Sequence, residues 1–189
     1  KPGEDLAISL DVAASDLFDE VTGKYRLPLD NAEYTPDEFI DLQEDWCDRY
    51  PIVSIEDPLA DTDWEAWKQF NERLGDRLQL IGDDLFTTNT DRIQKGIQQG
   101  VANSVLIKLN QIGTVSETIE AIKLTQQAGW NPVVSARSGE TEDAFISHLA
   151  VATNAGQLKV GSFARSERMV KWNEVLRIEQ HLGEKANFQ

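Results

Sequence analysis

The 189 residues, 40% of them hydrophobic, suffice for one sizeable core, and a single domain over residues 1–189 is expected. Charged residues make up 27% of the chain, and no apolar run reaches the roughly 20 residues of a membrane-spanning helix. The net charge of -15 argues against nucleic acid as a partner, because phosphate neutralisation needs clustered Lys and Arg; it leaves either a solvated acidic surface or carboxylates that converge on a cation.

The N-terminus, Lys1-Pro2-Gly3-Glu4-Asp5, has neither the basic nor the apolar region of a signal peptide. It also lacks an initiator Met, which reads as a processed or excised piece. The apolar run Leu6–Val12 predicts a first strand. Gly23-Lys24-Tyr25-Arg26-Leu27 alternates after a turn glycine and predicts a small hairpin. Thr35-Pro36-Asp37-Glu38 combines an N-cap, a first-turn proline and a capping-box glutamate, so a helix bearing Phe39, Leu42 and Trp46 follows. Cys47 is the single cysteine, which excludes an intrachain disulfide and fits a reducing cytoplasm.

Further apolar runs start at 52, 78, 105, 132 and 158, about 26 residues apart. Helical patterns lie between them. One starts at Asp61 or Thr62 and carries Trp64, Trp67, Phe70 and Leu74. A second starts at the capping box Thr114-Val115-Ser116-Glu117, a third at Thr141, and the longest runs from Arg165 to Leu182 with Met169, Trp172, Leu176 and Leu182. Their apolar stripes are expected to cover a sheet. Strands alternating with amphipathic helices predict an α/β fold with a parallel sheet of about six βα units.

Such folds place chemistry just past the C-terminal ends of the strands. The polar residues there are Asp11, Glu56 with Asp57, Asp83 with Asp84, Lys108 with Asn110, Arg137 with Ser138, and Lys159. Three strands end in carboxylates and the later ones in cations, an array suited to a divalent metal beside an anionic ligand. Asp11, Glu56 and Asp83 suit Mg²⁺, which takes a few carboxylates plus waters and substrate oxygens. The alternative for each is an ordinary loop or N-cap carboxylate, a role that Asp57 and Asp84 fit better. Lys108 lies inside the apolar run Val105–Leu109. Partial desolvation and neighbouring cations favour the neutral amine a general base needs, whereas a carboxylate partner favours the charged form. Ser138-Gly139-Glu140-Thr141 could offer N–H groups at a helix N-terminus to an anion, with Arg137 adding a charged donor; it is equally an ordinary loop.

The words around these residues resemble the enolase family. Leu10-Asp11-Val12-Ala13-Ala14-Ser15, Ser54-Ile55-Glu56-Asp57-Pro58 with Asp63-Trp64, and Gly82-Asp83-Asp84-Leu85 with Thr88-Asn89 resemble its three metal motifs. Lys108-Leu109-Asn110-Gln111-Ile112-Gly113-Thr114 resembles the base-lysine segment, and Arg137-Ser138-Gly139-Glu140-Thr141-Glu142-Asp143 the phosphate-binding segment. Gly156-Gln157-Leu158-Lys159 and Arg165-Ser166-Glu167-Arg168 resemble its last strand and helix. The resemblance implies a partial TIM-type barrel without the family's N-terminal domain and first two barrel strands, which carry the general-acid glutamate. It implies Mg²⁺ on Asp11, Glu56 and Asp83, with Lys108 as base and Lys159 and Glu56 at the substrate. Arg137 and Ser138 would meet the phosphate of 2-phosphoglycerate, a phosphorylated carboxylate dehydrated to phosphoenolpyruvate.

Three departures stand out. Ala136 occupies a position where the family has histidine, Ser162-Phe163 replaces Ala-Pro, and the tail Ala186-Asn187-Phe188-Gln189 differs from the family's ending. Phe163 is expected to narrow the pocket. Six units leave two open strand edges, so self-association or a complementing chain is expected, with impaired catalysis by the chain alone. The other reading is a truncated, non-catalytic enolase-like protein that works by binding another protein.

Overall fold

The computed structural model describes residues 1–187; Phe188 and Gln189 of the divergent tail lie outside the described residues. Its main sheet holds six parallel strands in the order β1-β5-β6-β7-β8-β9, an open half-barrel. These are β1 (Ile8–Asp11), β5 (Ile52–Glu56), β6 (Gln79–Gly82), β7 (Ser104–Ile107), β8 (Asn131–Ser135) and β9 (Gln157–Lys159). The expected hairpin is a three-stranded antiparallel sheet of β2 (Phe18–Asp19), β3 (Lys24–Leu27) and β4 (Ala32–Tyr34).

Helices α1 (Pro36–Arg49), α2 (Trp64–Leu74), α3 (Thr90–Gln99), α5 (Val115–Gln127), α6 (Phe145–Ala152) and α7 (Ser166–Leu182) connect and flank the main strands, with one short turn of helix, α4 (Leu109–Ile112), after β7. None is long and apolar enough to cross a membrane. Thr35 and Glu38 form the reciprocal capping box that starts α1. The α2 cap is Asp63, slightly downstream of the expected start, because its carboxylate accepts from the Ala66 N–H. The helix expected at Thr141 begins at Phe145, whose N–H donates to the Asp143 carboxylate at 2.8 Å. Thr141 is drawn elsewhere: its carbonyl accepts from Lys171 at 2.5 Å.

The core lies between the outer face of the sheet and the helices, built on Ile55, Trp67, Phe70, Leu80, Phe86, Ile107 and Ile122. Phe86 is fully buried between two glycines; a Cβ on Gly82 or Gly96 would lie 2.4 Å from its ring, so both positions must stay bare. Tyr25 of β3 stacks on Phe39 at 4.5 Å and its hydroxyl accepts from the Ala60 N–H at 2.9 Å. The small sheet thereby holds the loop that follows β5.

The inner face carries a smaller cluster of Ile81, Leu106 and Val133. Polar bridges join strands across it, Ser9 to Ser54 at 2.5 Å and Gln79 to Gln157 at 2.8 Å. The apolar stripe expected to cover the sheet from α7 is only partly seated, since Leu176 is 61% exposed. The reason is topological: β9 is a sheet edge, and no described strand lies beyond it to receive the far flank of α7.

Candidate functional site

Parallel pairing sets the ends of the strands side by side. Asp11 is the register partner of Glu56, and Ser135 that of Lys159. Asp83 follows directly on β6. Curvature then brings the first and last strands together: Lys159 Nζ donates to Asp11 Oδ2 at 2.9 Å and to both Glu56 oxygens at 2.8 and 2.7 Å. Every site residue expected from the sequence lines one open cavity of about 520 Å³: Asp11, Glu56, Asp83, Lys108, Arg137, Ser138 and Lys159. Asp84, Ala136, Ser162, Arg165 and Arg168 also line it.

The cavity is divided by charge. Carboxylates stand at the ends of β1, β5 and β6, and cations at the ends of β7, β8 and β9. Glu56 is 3% exposed, and burial pushes its pKa up against the pull of Lys159. Burial works to lower the pKa of Lys159, but its bonds to Glu56 and Asp11 outweigh it and hold the ammonium charged. Lys108 pairs with Asp83 Oδ2, so here the lysine has the carboxylate partner that was the alternative to a free base. The Lys108 N–H donates to Thr88 Oγ1 at 2.9 Å, a link from a buried hydroxyl that the sequence did not reveal.

Asp83 Oδ1 is buried without a hydrogen-bond partner among the described residues. A buried, unpartnered carboxylate oxygen is costly unless something cationic meets it. Donor atoms of Asp57, Asp83 and Asp84 lie within 4.8 Å of one another, an acidic cluster consistent with a metal site. The set is all oxygen, which suits a hard divalent cation.

Asp57 plays another part in that cluster. Its two oxygens accept from the backbone N–H groups of Asp83 and Asp84, both at 2.9 Å. It is neither the N-cap nor the plain loop carboxylate expected from its position, but a brace that ties the end of β5 to the start of the Asp83 loop. Its φ of 42° lies in the left-handed region, which non-glycine residues seldom adopt. Burial pushes its pKa up to about 7, against the pull of those two N–H groups. Asp57→Asn should lower unfolding stability by about 1–3 kcal/mol in urea denaturation, because an amide NH₂ must then face a backbone N–H. An unchanged midpoint would remove this role.

Arg137 and Ser138 sit on a turn, not at a helix N-terminus, since α6 starts at Phe145. The Arg137 N–H is occupied by Glu140 Oε1 at 2.8 Å. What this loop presents to the cavity is therefore the Arg137 and Ser138 side chains rather than a row of free N–H groups. The Arg137 guanidinium donates to Asn110 Oδ1, on α4, at 3.4 Å. Phe163 does not narrow the pocket: it is 77% exposed and its ring turns onto Trp172, 5.4 Å between centroids. Ser162 and the small Ala136 line the wall instead.

A family model described as "Enolase, C-terminal TIM barrel domain" matches residues 2–189. Among curated proteins, "Enolase 1" of Desulfitobacterium hafniense (strain Y51) is 59% identical over 187 residues, which is 99% of this chain and 43% of that protein. The chain thus spans less than half the length of this relative.

Proposed function

The chain belongs to the enolase family, as a partial enolase TIM barrel, and from that premise we propose that its cavity serves the Mg²⁺-dependent dehydration of 2-phosphoglycerate to phosphoenolpyruvate, once the open edges of its sheet are covered. One observation carries the reading. Lys108 Nζ is held on Asp83, whose second oxygen is buried without a partner. That sets Lys108 directly beside the carboxylate proposed to take the cation; paired with Asp83 it is an ammonium, and it must part from Asp83 to act as the proton acceptor.

Asp11, Glu56 and Asp83 would hold the Mg²⁺, Asp11 and Glu56 giving up the Lys159 ammonium they bear here. Bound there, the ion supplies positive charge that stabilises an ene-diolate; a lysine base with one or two Mg²⁺ ions is the established pattern of this superfamily. Lys108 takes the proton α to the substrate carboxylate. Lys159, at the end of β9 beside Asp11 and Glu56, presents its ammonium to that carboxylate, where negative charge grows during proton removal. Arg137 and Ser138 hold the phosphate on the opposite wall. The division of the cavity by charge orients the substrate, with its carboxylate between the lysines and its phosphate at the β8 loop.

The test is phosphoenolpyruvate formation with Mg²⁺, comparing the 189-residue polypeptide alone with the same polypeptide supplemented by the upstream part of a full-length relative. Activity that rises on supplementation and disappears without Mg²⁺ supports the reading. Failure to bind Mg²⁺ at millimolar concentration, seen by calorimetry, refutes it.

The edge strands β1 and β9 carry unpaired backbone groups, and Leu6, just before β1, and Ile8, its first residue, are 76% and 38% exposed. Such edges recruit another strand. The 189-residue polypeptide by itself should run as a dimer or larger in size-exclusion chromatography with light scattering. A stable dilute monomer with freely exchanging β1 and β9 amides would contradict this.

A further inference from the structure

Lys171 lies on α7, away from the cavity wall, and its side chain is fully buried. Burying an ammonium is expensive unless its donors are all met. Here they are: Nζ donates to the carbonyls of Thr141 at 2.5 Å and Glu167 at 2.9 Å, and pairs with Glu140 Oε2 at 2.7 Å. Two of those partners belong to the loop after β8. Glu140 passes the restraint on, because its other oxygen accepts the Arg137 N–H at 2.8 Å.

One turn back on α7, Arg168 completes the arrangement. Its guanidinium donates to the carbonyls of Arg137 at 2.8 Å, Val160 at 3.0 Å and Ser138 at 2.8 Å. The N–H of Arg137 and the carbonyls of Arg137, Ser138 and Thr141 are therefore all held by ionic side chains. The hydroxyl of Ser138 and, apart from its 3.4 Å contact to Asn110, the guanidinium of Arg137 are left to face the cavity. An apolar residue at 171 would serve simple packing without the desolvation cost. A charge aimed at loop carbonyls serves geometry.

We infer that Lys171 and Arg168 are positioning residues for anion binding: through Glu140 and the loop carbonyls they hold the Arg137–Thr141 backbone so that Arg137 and Ser138 meet the substrate's phosphate together. This rests on the reading of the site given above. A group held within a fraction of an ångström binds its target without further ordering, and loss of such supporting contacts costs about 10–100-fold in affinity.

The experiment titrates inorganic phosphate and, separately, Mg²⁺ into the protein by calorimetry, and follows hydrogen exchange at the Arg137 amide. Lys171→Met and Arg168→Lys should each weaken phosphate binding by about 10-fold or more and speed exchange at Arg137, while Mg²⁺ affinity stays within about twofold. Arg168→Lys keeps the charge but loses the three-carbonyl fork, and it decides the matter if Lys171→Met fails to fold. Phosphate affinity that is unchanged in the foldable variants, yet lost in Arg137→Ala, overturns the inference alone. So does a parallel loss of phosphate and Mg²⁺ affinity, the mark of general destabilisation. Absence of phosphate binding in the unaltered protein, or binding that survives Arg137→Ala, overturns the site reading and the inference with it.

Discussion

Lys108→Met should lower phosphoenolpyruvate formation by about 10²–10⁴-fold in whichever assembly turns over, the chain alone or the chain with its edges covered. The lysine is the one cavity cation that pairs with Asp83, and the other ammonium, on Lys159, is committed to Asp11 and Glu56. Methionine fills similar volume without a proton-accepting nitrogen, so substrate binding should change far less than turnover. A second consequence separates this from unfolding. Removing the ammonium leaves a buried carboxylate unpaired, which costs the metal-free protein about 3–5 kcal/mol. Mg²⁺ should then stabilise the variant against heat more than it stabilises the unaltered protein, because binding to the native state alone shifts the unfolding equilibrium. Turnover within a few fold of the original rate would exclude Lys108 as the base.

Asp83→Asn should reduce Mg²⁺ affinity by about 100-fold or more, measured by calorimetry. Supporting residues around a metal commonly cost up to about 100-fold when removed, and a direct charged ligand should cost at least as much. The comparison with Asp57→Asn sharpens the result. Both aspartates are buried members of one acidic cluster, yet only Asp83 has an oxygen without a partner. Asp57→Asn should therefore act chiefly on stability and Asp83→Asn chiefly on the metal. If the two variants lose Mg²⁺ alike, Asp57 is a ligand and the assignment of Asp83, Glu56 and Asp11 must be redrawn.

Much of this was legible in the chain as written. Apolar runs about 26 residues apart located the main strands, and Thr35 and Thr114 marked two helix starts, because caps and periodicity are local properties. The residues lining the cavity were legible too. Parallel strands joined by helices all point the same way, so the residue at each strand's C-terminal end reaches a common face whatever the loops do. Asp11, Glu56, Asp83, Lys108, Arg137, Ser138 and Lys159 needed no more than that rule and the sequence motifs to be found together around one cavity.

What the sequence could not reveal depends on which distant groups meet. The α7 stripe pointed to Met169, Trp172 and Leu176 as the covered face, whereas Lys171 is the residue fully enclosed, because the loop holding Glu140 and Thr141, far upstream in the chain, in part supplies its partners. Asp57 became a brace only through the β5–β6 register, and Phe163 left the pocket only because Trp172 stood ready to receive it. Lys159 meets Asp11 from 148 positions away, across a sheet whose curvature no local pattern encodes. By itself the sequence determined the repeating βα units, the family and the identity of the residues on the cavity wall. Tertiary structure alone decided which of those charges are paired, which oxygen is left for a cation, and which loop is held rigid, since each is settled by desolvation and hydrogen bonding between segments far apart in the chain.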